Sequence, residues 1–326
     1  VAVAGNTRLI YAAIQTGKGS PTAAPTHVFR LSGDGSLDPN RQIIQLPETD
    51  SNSQRPSSRV VGAEPSGGWQ GWLRPSEFAL LARAIMGANA DSGGGPYTHT
   101  ATPVAATPYL TLWDVIPGVQ CTRFDDARLS QLGVSGQSLA GIQYTCQAIA
   151  LSATLGVTEP VVPAAPASDA DMTYPMVTVT IGGAHPGTVD QFSLTINRNV
   201  SILRGDNGLA AYDSVVGQFD VSGSFNKIYV SDADYRKFHG GSPAATTLTT
   251  TIFSEALDLL IAIDATHAVQ FTSSGIEYTE TRVPVNVDGS PVIETQSFNT
   301  QRQATWANNL TIVTKNDGAT STTTPS

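Results

Sequence analysis

The sequence predicts a mainly β protein, an antiparallel β-sandwich or barrel with short flanking helices. Three observations carry that reading. Apolar and polar residues alternate with period two in a series of segments rich in β-branched and aromatic side chains, Gly, Pro, Asn and Asp fill the gaps, and only one stretch has a strong helical period. Alternation marks sheets with one buried and one wet face, which suits antiparallel rather than parallel α/β architecture.

The strands are expected at Tyr109 to Val115, Arg128 to Val134, Ile142 to Leu151, Met176 to Ile181, Phe192 to Ile196, Phe219 to Val230, Ile276 to Val283, Val292 to Phe298 and Trp306 to Val313. The helix is expected over 75–86. Pro75 suits a first helical turn, Glu77 sits at the positive end of the dipole, and Gly87 offers a left-handed stop. Phe78, Leu81, Ala82 and Ile85 then form one apolar face that would cover a sheet.

A weaker unit repeats this order. The strand ending at Val230 runs into a short helix over 232–239, capped by Ser231 or Asp232, burying Tyr235 and Phe238 and ending at Gly240. Phe78 and Phe238 stand 160 positions apart, close to half the chain, as in a diverged tandem duplication. The expected organisation is a first β unit over 1–158 and a Pro/Ala-rich linker over 159–171. A second β unit over 172–315 and a flexible tail over 316–326 complete it.

Residues 41–63 read as a long hairpin arm. Two apolar runs, at Gln42 to Leu46 and Arg59 to Gly62, flank a polar tip from Pro47 to Ser58 that cannot contribute to a core. Such a tip is either a loose surface loop or an arm that orders against another subunit.

Composition excludes several classes. The 326 residues include 18 Lys and Arg against 27 Asp and Glu, a net charge of −9, and no apolar run approaches a membrane span. An acidic chain with scattered lysines does not grip nucleic acid, although nucleic acid could pass it without sticking. Cys121 and Cys146 are too few for a stapled secreted scaffold or a zinc site, and read as two buried thiols in preference to a bridge. No secretory signal is visible at Val1 to Arg8, as would also hold for a chain whose signal had been removed.

A search for chemistry finds no reactive constellation, so the chain reads as a non-enzyme without metal or cofactor. His27, His99, His185, His239 and His267 lack metal-ligand spacing and are expected at the surface. The segment Gly133 to Gly141 has the wrong spacing for a nucleophile elbow and fits a hairpin turn. Asp206-Asn-Gly208 and Asp232-Ala-Asp234 suit turns and caps better than a calcium loop, and no phosphate-binding glycine pattern leads into a helix. Weakly charged strands with Thr- and Ser-rich faces point instead to assembly through sheet edges.

The order of features resembles the major tail tube proteins of long-tailed, siphophage-type bacteriophages. The segments that carry the resemblance are Gly5 to Ile14, the hairpin arm, Gly67-Gly-Trp-Gln-Gly-Trp-Leu73 running into Pro75, Tyr109 to Trp113 and Asp126 to Val134. Val189 to Arg198, Gly217 to Phe225, Val292 to Asn299 and Asn308 to Thr314 carry it through the second half. The resemblance implies a sandwich closed by a helix, whose subunits form rings that stack into the hollow tail tube through which genomic DNA is ejected. It implies itself, the tape-measure protein and the tail terminator and tip proteins as partners, with no membrane and no specific DNA binding. It implies a place in the virion after assembly in the bacterial host cytoplasm. It makes the arm tip, with Glu48, Asp50, Asn52, Gln54 and Arg55, the inter-ring contact. A duplicated chain would need three copies for a pseudo-sixfold ring, where an unduplicated one needs six. The competing readings are an extracellular binding module, an adhesin or carbohydrate-binding sandwich with an aromatic platform from Trp69, Trp72 or Trp113, and a β-sandwich hydrolase.

Overall fold

The computed structural model describes residues 8–45, 58–161, 170–205, 208, 210–250, 252–284, 291–300 and 309–318. Among them the chain runs β1 (Leu9–Ile14), β2 (His27–Arg30), β3 (Ser36–Asp38), β4 (Arg41–Gln45), β5 (Ser58–Ala63), β6 (Ser66–Trp72), α1 (Pro75–Met86), β7 (Gly87–Ser92), β8 (Tyr97–Pro103), β9 (Leu110–Ile116), β10 (Gln120–Gln137) and β11 (Gln143–Ile149). It continues through β12 (Ser152–Leu155), β13 (Val177–Ile181), β14 (Val189–Asn197), β15 (Ser201–Leu203), β16 (Asp213–Val215), β17 (Asp220–Ile228), α2 (Ala233–Gly240), β18 (Ser254–Ala262), β19 (Ala268–Arg282), β20 (Ile293–Thr300) and β21 (Thr311–Asn316). The protein is mainly β, antiparallel throughout and sandwich-like.

One long sheet organises the molecule, in the order β3-β6-β11-β10-β14-β17-β20-β19. Two strands are long enough to serve two layers. The first half of β10 pairs with β9 and β12, and its second half with β11 and β14. The first half of β19 pairs with β18 and β21, and its second half with β20. Both strands have a bulge on their β11- or β20-facing side, between Leu129 and Gln131 and between Tyr278 and Glu280. Such bulges increase twist and let one strand turn between layers. Among the described residues the ladders branch without closing on themselves.

The pairing pattern occurs twice along the chain. The path β1-β9-β10, with β12 on the outer side of β10, recurs as β13-β18-β19 with β21. The path β3-β6-β11-β10 recurs as β14-β17-β20-β19, and α1 follows β6 as α2 follows β17. The two sets are joined within the long sheet by β10 against β14 and share one apolar core, in which Phe78 of α1 meets Phe271 of β19 edge-on at 5.7 Å. β8 also pairs with β21, tying the chain's early and late strands together.

Helix α1 has the expected bounds, with Pro75 at its start and Gly87 after its end at φ 101°. It differs in burial: all twelve residues are buried, not one face only. It lies between β10 on one side and β8 and β21 on the other, so even Glu77 and Arg83 are enclosed. Glu77 is held by Arg74 at 3.3 Å and Arg30 at 3.2 Å. At the opposite end Arg198, from the end of β14, donates to the carbonyls of Ile85 and Met86 at 2.6 Å each and of Val104 at 2.8 Å. A fully buried cation thus satisfies the carbonyls that a helix end leaves open.

Three expectations are corrected. Helix α2 buries no residue: Tyr235 is 44% exposed and Phe238 only partly buried, because the helix is tied down by charge. Lys227 meets Asp234 at 2.5 Å, and Lys237 meets Glu255 at 3.1 Å. The left-handed residue that ends it is Gly241, one position beyond the expected stop. His99 is a core residue, 1% exposed, because its ring fits between Asp91 at 2.7 Å and Asn316 and Gly318. For the same reason residues 316–318 belong to the folded body: Asn316 ends β21, is buried, and donates to the Pro75 carbonyl.

Candidate assembly surfaces

The long sheet has one face toward the core and one toward solvent, and register decides which residues share the wet face. On the core side Leu132, Val134, Tyr144, Cys146, Phe192, Leu194, Ile196, Val221, Phe225 and Phe298 are buried. Opposite them run rows of amides and hydroxyls. One row reads Gln70, Thr145, Gly133, Thr195, Ser222 and Asn299 across six strands. The next reads Trp72, Gln143, Ser135, Ser193, Ser224 and Ser297. Side-chain hydrogen bonds knit the rows across strands: Ser193 to Ser224 at 2.8 Å, Asn226 to Gln191 at 2.9 Å and Thr295 to Asn226 at 3.0 Å. From β11 to β20 this face carries no Lys or Arg, and Asp220 is its single acid. Such a surface offers phosphates neither attraction nor strong repulsion.

The sheet ends in unpaired margins. Beyond β3 no further described strand pairs at one border, and the Tyr278 to Arg282 half of β19 pairs only with β20 at the other. Open edges of this kind are templates for another chain.

The hairpin stem is present as β4 paired to β5, with Ile43 opposite Val60. All of β4 is exposed, and Ile43, Val60 and Val61 are 60%, 41% and 46% exposed. The stem is fastened at its base by Arg204, which meets Glu64 at 2.8 Å and the Ala63 carbonyl at 3.1 Å. The tip residues Glu48, Asp50, Asn52, Gln54 and Arg55 lie outside the described residues, as does Asp206-Asn207.

Other sequence expectations fall as follows. The segment from Gly133 is the end of β10 and its turn into β11, as the hairpin reading requires. Cys121 and Cys146 are buried and free, and burial pushes the Cys146 thiol well above its usual range. Trp69 and Trp113 are core residues at 2% exposure, so they present no aromatic platform. Among the described residues no group of three or more His, Cys, Asp or Glu is placed to hold a metal ion, and no helix is long and apolar enough to cross a membrane. Sequence reasoning finds Thr- and Ser-rich strand faces but not which of their residues share this one surface. Its signal is the run of Gln, Ser and Thr at alternate positions, which acquires meaning only once the register is known.

Open sheet margins and an exposed apolar ribbon are surfaces on which another chain can pair or pack. A search of curated proteins finds no match. The family model described as phage tail tube protein matches residues 5–301, and the chain belongs to that family. It is therefore a structural component of the phage tail that self-assembles into a tube and associates with other tail components.

Proposed function

We propose that three copies close into a ring through their long sheets, that the amide and hydroxyl face lines the channel, and that stacked rings form the conduit for genomic DNA. The observation that carries this reading is the unbroken eight-strand sheet, whose wet face from β11 to β20 carries no Lys or Arg. Three such sheets give a barrel of about 24 strands. At ~4.8 Å spacing and ~40° tilt its backbone radius is roughly 24 Å, leaving a wide aqueous channel. Six copies would double that radius. The repeated pairing pattern supports two tandem tube-like halves, over 1–158 and 172–315 with the linker 159–171 between them, and hence pseudo-sixfold symmetry from three chains. The neutral, weakly acidic lining favours passage of DNA over retention. The role is structural and not enzymatic. Assembly in the host cytoplasm, around the tape-measure protein and ended by terminator and tip proteins, follows from the same reading.

The hairpin arm is the contact to the adjacent ring. The base of the arm lies at the sheet end formed by Ser66, Asn197 and Asp220, whereas α2 follows β17 at the opposite end, beside Ile228. Exposed apolar residues stand at both: Ile43, Ile44, Val60, Val61, Leu203 and Val215 near the arm, and Val230, Tyr235, Leu248 and Ile252 around α2. Two different apolar ends suit head-to-tail stacking, which continues without closing. Negative-stain microscopy of the purified chain should show rings with a central hole and tubes. Deleting Thr49 to Ser57 should leave folded rings that do not stack. A protein that stays monomeric at high concentration would overturn the proposal.

A further inference from the structure

The junction between the two halves inside one chain has the form that the junction between two chains requires. Within the chain, the open side of β10 is completed by β14, with Gln131 opposite Asn197 and Gly133 opposite Thr195. In the repeated pattern β19 takes the place of β10, and β14 takes the place of β3. We propose that the open side of β19 is completed in the same way by β3 of a second copy of this chain, and that the internal junction fixes the register. This rests on the ring reading above and adds to it the strands and the pairing.

The register follows from one landmark on each strand. The bulge after Leu129 matches the bulge after Tyr278, which places Gln131 on Glu280 and Gly133 on Arg282. On the other strand, Leu37 opposite Gly67 matches Leu194 opposite Gly223, which places Thr195 on Asp38 and Asn197 on Asn40. The glycines agree too: a Cβ on Gly67 would lie 2.0 Å from the Ser36 carbonyl oxygen, and one on Gly223 would lie 2.5 Å from that of Ser193. Both halves therefore bring the first strand onto the second at the same close approach, which needs a residue without a side chain.

Translating the internal pairs across the boundary sets Arg282 opposite Asp38 of the second copy, and Glu280 opposite Asn40. The first of these is a pairing of opposite charges on one face of an antiparallel ladder. Arg282 is 76% exposed, and its ion pair with Glu280 is its own strand neighbour two positions back, so it is free to turn. Asp38 is exposed at the end of β3. Leu37 N–H is taken by the Asp114 carboxylate at 2.9 Å and Pro39 has no N–H, so β3 brings only carbonyls to the Asp38 to Asn40 end of the junction and the β19 amides are the donors. A short seam of this kind suits a ring whose closure repeats it three times.

The test uses the full chain carrying Arg282→Cys and Asp38→Cys together. Directly opposed cross-strand positions have Cβ atoms ~4.5–5.5 Å apart, close enough for a disulfide after small adjustment. Mild oxidation should give covalently linked chains of up to three copies on a non-reducing denaturing gel. The pair Thr281→Cys with Asp38→Cys should stay unlinked, because a one-residue slip turns one side chain to the other sheet face. The native Cys121 and Cys146 are buried and do not compete. If native mass spectrometry shows three-copy rings but the first pair does not cross-link, or the slipped pair links equally well, the junction is wrong while the ring reading stands. If the unmodified chain forms no rings at all, both fall.

Discussion

Replacing Arg198 with methionine should destabilise the fold by about 3 kcal/mol. The guanidinium is 1% exposed and serves three carbonyls, those of Ile85, Met86 and Val104. Met86 O would keep the Val104 amide at 3.0 Å, so the buried Ile85 carbonyl and the half-buried Val104 carbonyl would lose this donor. Each orphaned buried group costs ~1–3 kcal/mol, and loss of a cation at the helix C-terminus adds up to ~2. Relief of a desolvated charge, whose pKa burial pulls down to about 10, offsets part of this. With an unfolding entropy of roughly 2.1 cal/mol/K per residue, ~3 kcal/mol corresponds to a melting temperature about 4–5 °C lower. Differential scanning calorimetry of the variant reads that shift directly. Arg198→Lys should fall between, since one ammonium does not reproduce a planar fork. A methionine variant melting within about 1 °C of the parent would refute the argument that this cation closes α1.

Three further outcomes are expected. At His267, burial works to lower the ring's pKa, but the carboxylates of Asp264 and Asp317 at 3.0 and 3.1 Å outweigh it and raise the value. Its stabilising contribution is therefore full below the ordinary histidine range and fades as pH rises through the raised value; an NMR titration midpoint at or below about 6.5 would contradict this. Gly223→Ala would set a Cβ 2.4 Å from the Phe298 ring and should cost ~1–3 kcal/mol in thermal unfolding, whereas an unchanged midpoint would show that β17 can shift. Gln131→Lys with Ser222→Lys, both on the wet face, should leave stability nearly unchanged but make assembled rings retain duplex DNA at low salt. Equal retention by the parent would mean that the face does not line a passage.

The parts of the fold legible in the sequence are those whose signal is local. Strands β14 and β17 alternate because their faces meet core and water, and α1 announces itself through Pro75 and Gly87. Strand β18, Ser-Glu-Ala-Leu-Asp-Leu-Leu-Ile-Ala, was not expected, since Glu, Ala and Leu favour helix and only pairing to β13 and β19 holds it extended. β7 was missed for a similar reason, being built from Gly, Ala, Asn, Asp and Ser and held by β8. His99 is buried by partners more than two hundred positions away in Asn316 and Gly318, which no local pattern encodes. The arm's stem was readable from two apolar runs flanking polar sequence. The assembly face was not, because Gln131, Ser193 and Ser224 become neighbours only through pairings far apart in sequence.

A cryo-EM map of one assembled ring tests the central claim most directly. The account predicts three chains around the axis, with Gln131, Ser193 and Ser224 facing the hole and the sheet running unbroken from each chain into the next. A ring in which that face points outward, or packs against another layer so that the channel is lined by different strands, would contradict it.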